Sequence, residues 1–259
     1  MTVFKAIEIP GQEFETQEQM FRALKDNLQT ISDAKKAVVR EADTVKIGMI
    51  GVGSAVKGLT LEAGFVYPVI NTTKFMDSHN DVHLDGIWDR SIKDVQGKIY
   101  YVANHKLEVG QVIAYPQDVK VMVQTVAWKD LGYGFDGTTQ ALIFKIKRDK
   151  IRMKDARDII EEKIDIEHSV RMQYLKFSLA VNSLEADFKA EKANFDKHIS
   201  KIVNRKRAEE LGYFFAIEEA KIVKEGSMVL NGSNEATPML QPKHTDPPVG
   251  SQKTKLFPY

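Results

Sequence analysis

Between residues 64 and 147 five apolar runs follow one another, separated by turns and with few helices between them. They are GFVYPVI (64–70), KIYYVAN (98–104), GQVIAYP (110–116), VKVMVQTVAW (119–128) and TQALIFKIK (139–147). In the fourth, Val119, Val121, Val123 and Thr125 alternate with Lys120, Met122 and Gln124, the period of a half-buried strand. Three more strands are expected at 171–181, at YFFAIEEAKIV (213–223) and at GSMVL (226–230). Many strands of this kind with few intervening helices point to an α+β fold. Its expected centre is a mainly antiparallel β-barrel surrounded by helices.

Helical spacing appears at the flanks of this pattern. Residues 17–40 open on Thr16 with Gln19 three positions later, a capping box. Met20, Leu24, Leu28 and Ile31 then recur along one face. A short amphipathic helix is expected at 154–164, and a long charged one at 184–211 as an insertion before the last strands. The chain therefore divides into an N-terminal extension (1–45), a β-domain (46–235) and a Pro-rich tail (236–259), which composition marks as flexible.

Composition excludes some chemistry. The chain has no cysteine, so thiolate nucleophiles, thiolate zinc sites and disulfides are absent. A formal net charge of +1 exerts no strong pull on nucleic acid or anionic membrane. No run approaches the roughly 18 apolar residues of a membrane span, and the N-terminus lacks the pattern of a secretory signal. A reducing cytoplasm fits these features.

Three stretches invite a chemical reading. GMIGVGSAVKG (48–58) does not satisfy a phosphate-loop pattern: no Lys-Ser/Thr pair follows Gly58, and Val56 stands where a third glycine is required. It reads as a turn or strand entry. His79 and His83 in MDSHNDVHLDG are four apart, but the stretch is loop-like and lacks the Glu of H-E-x-x-H, so a hydrogen-bonded loop is favoured over a metal site. In IDIEHSVRMQYLKFSLAV (164–181) a serine follows a histidine directly. A serine hydroxyl needs a base, and the base works best when a third group orients it. Neighbours on a strand point to opposite faces, so His168 is poorly placed to serve Ser169. A distant histidine is needed, and His105, at the end of an expected strand, is first in line.

Four segments in order resemble the motifs of the prohead maturation proteases of tailed phages, serine proteases with a barrel like that of the herpesvirus assemblins. They are DSHNDVHLDGIWDRSI (77–92), YVANHKLEVGQVIAY (101–115), IEHSVRMQYLKFSLAV (166–181) and IVKEGSMVLNGSNEATPML (222–240). Asn104, His105 and Gly110 match the histidine motif. Glu225, Ser227, Val229, Gly232 and Asn234 fall in step with the last one, although Ala236 comes one place early. The resemblance implies Ser169 as nucleophile, His105 as general base and Glu225 as the group that orients the imidazole. Val170 and Arg171 would lie in the substrate and oxyanion region. Arg171 departs from the family, which usually has glycine there.

That resemblance further implies a serine endopeptidase of phage head maturation, acting in the host cytoplasm inside the assembling prohead. Its substrates would be the major capsid protein precursor, the scaffold protein and its own termini. No metal or other cofactor, nucleic acid or membrane is implied, and a homodimer is the expectation carried by the assemblins. The alternatives are a non-catalytic capsid-assembly or scaffold protein on the same fold, with Arg171 as the lesion, and a β-rich binding module.

Overall fold

The computed structural model describes residues 3–37, 59–230, 232, 234 and 236–241. The glycine-containing stretch 48–58 and the end of the tail, 242–259, lie outside them. The fold is α+β. The helices are α1 (Gln17–Asp26), α2 (Leu28–Ala37), α3 (Ser91–Asp94), α4 (Lys154–Glu161), α5 (Lys189–Ile199) and α6 (Arg205–Leu211). The strands are β1 (Phe65–Thr72), β2 (Asp81–His83), β3 (Tyr100–Ala103), β4 (Val112–Ala114), β5 (Val119–Ala127), β6 (Thr138–Lys147), β7 (Glu167–Val181), β8 (Tyr213–Val229) and β9 (Met239–Leu240).

The strands form two open sheets, in place of the closed barrel that the strand pattern suggests. One has the order β5-β6-β1-β9. The other has β2-β8-β3-β4, with β7 paired to the opposite edge of β8. β8 runs parallel to β2 and β3, whereas β7–β8 and the pairs of the first sheet are antiparallel. The free edge of β1 is occupied by the two residues of β9 opposite Tyr67 and Pro68, and Pro68 has no N–H to give a longer ladder. The first sheet ends there. Residues 236–241, which composition assigns to the tail, thus belong to the fold, with Ala236, Thr237 and Leu240 buried.

Side chains from both sheets share one core. Val66, Ile70, Leu142 and Phe144 come from the first, and Tyr101, Ile113, Val170 and Phe215 from the second. Met20, Phe21, Leu24 and Ile31 of the N-terminal helices enter the same core, each burying enough surface to contribute roughly 2 kcal/mol.

Three elements differ from their local patterns, each for a tertiary reason. The expected helix 17–40 keeps its capping box, with Thr16 and Gln19 each accepting from the other's backbone side. It breaks at Asn27, whose side chain turns back to donate to the Ala23 carbonyl at 2.8 Å. The expected helix 184–211 becomes a 3₁₀ turn, α5 and α6. Between α5 and α6, Asn204 uses both ends of its amide on Met76, accepting from its N–H and donating to its carbonyl at 2.8 Å each. The Val203 N–H meets the Lys74 carbonyl at 2.9 Å. A continuous helix would give up these bonds and the burial of Ile202. Finally, 213–223 and 226–230 merge into one long strand. Gly226 is not a turn: a Cβ there would lie 2.7 Å from the Phe144 ring, so glycine is what lets β8 pass close to the first sheet.

Candidate functional site

The site begins where β3 ends. The Asn104 N–H still reaches the Met228 carbonyl of β8 at 2.9 Å. Asn104 and His105 then both take positive φ, 51° and 57°, and the Lys106 N–H closes the turn on the Ala103 carbonyl. This is the mirror-image turn geometry that most residues avoid. Asn and His enter it more readily than other side chains, though still at a cost. The strained turn aims His105 back across the sheet instead of out along the strand.

There His105 meets β8. Its Nδ1 lies 2.8 Å from Glu225 Oε1, and its backbone N–H donates to Ser227 Oγ at 3.0 Å. The Ser227 hydroxyl donates in turn to Glu225 Oε2 at 2.7 Å. Both oxygens of a fully buried carboxylate are therefore engaged, one by the ring and one by the serine. A carboxylate at Nδ1 holds the proton on that nitrogen and leaves the lone pair on Nε2. Nε2 is buried and has no hydrogen-bond partner among the described residues. Glu225 owes its position to a bulge. Lys224 has φ 63°, and the register of β8 against β7 jumps between Val170↔Gly226 and Met172↔Ile222.

Ser169 is delivered by β7. Its cross-strand partner on β8 is Ser227, and directly paired residues share a face, with Cβ atoms about 5 Å apart. Ser169 thus stands beside the serine that touches both His105 and Glu225. It is 8% exposed, and no hydrogen bond joins its Oγ to Nε2. Val170 turns into the core opposite Gly226. Arg171 is half-buried opposite the bulge and on the Ser169 face of β7; its Nε is buried with no hydrogen-bond partner among the described residues. The structure thus gathers His105 and Glu225 in direct contact, with Ser169 and Arg171 on the adjacent strand. Ser227 was not singled out as a site residue. Its signal was its place two residues after Glu225, on the same face of one strand.

His168 faces away from this group. Its backbone N–H donates to Thr237 Oγ1 at 3.0 Å, Nδ1 sits 2.7 Å from the Thr237 carbonyl, and the ring packs against Tyr101. Burial pulls its pKa down from 6.5 to about 4, only partly opposed by the Thr237 bond. The folded protein therefore keeps this ring neutral, while an unfolded chain takes up a proton as pH falls below about 6.5. The contribution is fully present above that value and is lost as pH drops toward about 4, by up to roughly 3 kcal/mol. His168→Asn keeps a donor for Thr237 and removes the titration. Urea unfolding between pH 4 and 7 should show a shallower pH slope for the variant than for the parent; equal slopes would count against this assignment.

His83 does not lie in a loop. It lies in β2, buried, with the Asn71 amide 2.9 Å from Nδ1 and the Tyr174 hydroxyl 3.1 Å from Nε2. Tyr174 donates to Asp81 Oδ2 at 2.9 Å, and Asp81 Oδ1 receives Lys35. Among the described residues no group of three His, Asp or Glu side chains is arranged to hold a metal ion, and no helix is long and apolar enough to cross a membrane.

Compared with family models, with curated proteins and with solved structures, the chain matches none.

Proposed function

We propose that this chain is a serine endopeptidase with Ser169 as nucleophile, His105 as base and Glu225 as the orienting carboxylate. The observation that carries the reading is the His105 Nδ1–Glu225 Oε1 bond between residues 120 apart in sequence, on the face that also presents Ser169. A buried carboxylate on Nδ1 prepares Nε2 to accept a proton, which is the arrangement an activated serine requires.

In this mechanism Ser169 Oγ attacks a peptide carbonyl carbon as Nε2 takes its proton. The imidazolium so formed is stabilised by Glu225, which Ser227 holds from the other side. Nε2 then returns the proton to the departing amine as the C–N bond breaks. A water, deprotonated by the same nitrogen, hydrolyses the acyl-enzyme and frees Ser169. Arg171 Nε, a buried donor with no partner among the described residues and on the face of Ser169, is the group assigned to the developing oxyanion. Such a donor typically contributes about 3–4 kcal/mol to the transition state. Contact between Ser169 Oγ and Nε2 would form with substrate in place, as catalytic hydrogen bonds often tighten only then.

The motif resemblance extends the reading to a prohead maturation protease that cleaves scaffold and capsid precursors within the assembling head, and itself. On that view the two open sheets correspond to an opened assemblin-like barrel. A non-catalytic assembly protein is the competing reading. The test is labelling of the intact protein with a fluorophosphonate, followed by peptide mass spectrometry. The expected adduct is on Ser169 and is absent from His105→Ala. No adduct, or one that persists without His105, would favour the non-catalytic reading.

A further inference from the structure

A second constellation lies between α5, the β1–β2 turn and β8. A cavity of about 330 Å³ is lined by Lys74, Lys197, His198, Lys201, Asp85 and Glu218, with Val82, Leu84 and Ile202 as its apolar wall. That volume is at the lower end of small-ligand sites.

The charges of this cavity do not cancel. Asp85 is taken by Lys74 at 2.6 Å and by the Thr73 hydroxyl at 2.6 Å. Glu218 is taken by Lys176, which stands outside the cavity, and by the Ser178 hydroxyl at 3.3 Å. Lys197 and Lys201 make no salt bridge among the described residues, and both residues are exposed. Burial, and after it the charges of Lys197 and Lys201, hold the His198 pKa below its ordinary value, with Glu218 opposing them. His198 is 6% exposed, yet its Nδ1 is buried without a hydrogen-bond partner among the described residues. Basic residues at a helix C-terminus have a plain structural use against the helix dipole. That use does not account for a buried imidazole nitrogen left unpaired beside two lysines on the wall of one cavity.

We propose that this cavity binds a phosphate group, gripped by Lys197 and Lys201 and hydrogen-bonded by the His198 imidazole. Ammonium groups and an imidazole N–H supply the charge-assisted donors a phosphate accepts. Asp85 is offset by Lys74 and Glu218 chiefly by Lys176, with Lys197 acting on Glu218 as well, so the cavity keeps a net positive charge. The group is either a free ion or the head of a small ester, and the site is independent of Ser169 chemistry.

Imidazole ¹H–¹⁵N spectra of the full chain, titrated with inorganic phosphate against sodium chloride at equal ionic strength, test this directly. The His198 signals should move saturably with phosphate only. Lys197→Ala with Lys201→Ala should weaken the apparent affinity at least about tenfold, with unchanged His83 signals reporting an intact fold. If those signals change, the single Lys197→Gln and Lys201→Gln variants repeat the measurement. Absence of a saturable shift, an equal response to chloride, or unchanged affinity without the two lysines would overturn the proposal. Ribose 5-phosphate binding at least as tightly as the inorganic ion would identify an ester as the ligand, and weaker binding the free ion.

Discussion

Under the proposed mechanism, Ser169→Ala is expected to lower turnover of a cleavable precursor by roughly 10⁴- to 10⁶-fold, with substrate binding little changed. The reason lies in how the work is divided among the site residues. Without Oγ there is no acyl-enzyme, and the prepared Nε2 of His105 has no hydroxyl to deprotonate. His105→Ala should cost about as much, and the double variant little more than either alone, because nucleophile and base act as one unit. Glu225→Gln should lose about 10⁴-fold, since an amide at Oε1 no longer fixes the proton on Nδ1. Ser227→Ala should lose only about tenfold. The Nδ1–Oε1 bond survives there, while one hydrogen bond to Oε2 and the acceptor for the His105 N–H are removed. The measurement is steady-state cleavage of a precursor fragment by each purified variant. The order Ser169 ≈ His105 > Glu225 > Ser227 is the diagnostic. Full cleavage by Ser169→Ala would remove this serine from the mechanism, whatever the other variants did.

Asp81→Ala should be the most damaging change to stability outside that site. Lys35 is only 3% exposed, and its ammonium group has Asp81 as direct partner; Glu8 lies farther away at 3.7 Å. Removing one partner of a buried pair leaves the other charge desolvated, at a cost of roughly 3–5 kcal/mol. Glu8 can compensate only in part. Burial raises its pKa, and Lys35 is the largest force opposing that rise. Tyr174, which donates to Asp81, loses an acceptor as well. The expected result is a fall in Tm of about 10 °C, with α2 released first because Lys35 ties it to β2. Replacing the pair together, Lys35→Met with Asp81→Leu, should recover much of the loss, since no charge is then stranded. A double variant as unstable as Asp81→Ala would show that the damage came from packing and not from the unpaired lysine.

Strand and helix positions were largely legible wherever a residue's neighbours in sequence also set its environment. The alternation of Val119, Val121 and Val123 marked β5, and the Thr16–Gln19 box marked the start of α1. The motif order placed His105 and Glu225 together as expected partners, and they are in contact. Reading stopped where a distant group decided the outcome. Nothing within 184–211 announces a break, because the bonds that make it run from Asn204 to Met76. Gly226 heads an expected strand, and only the fold shows why it is glycine: it leaves the gap that Phe144 fills. His83 looked like a loop histidine because Asn71 and Tyr174, which enclose it, lie on other strands.

The sequence by itself determined the α+β class and most strand positions, and it supplied the serine, histidine and carboxylate on which the proposed chemistry rests, since periodicity and side-chain identity are local properties. Only the tertiary structure decided that the sheets stay open, that Lys35 and Asp81 meet in the interior, and that Ser227 joins His105 to Glu225. Those outcomes depend on strand register, on a bulge at Lys224 and on a turn held at positive φ. Each is fixed by hydrogen bonds across the fold, whose partners no local pattern identifies.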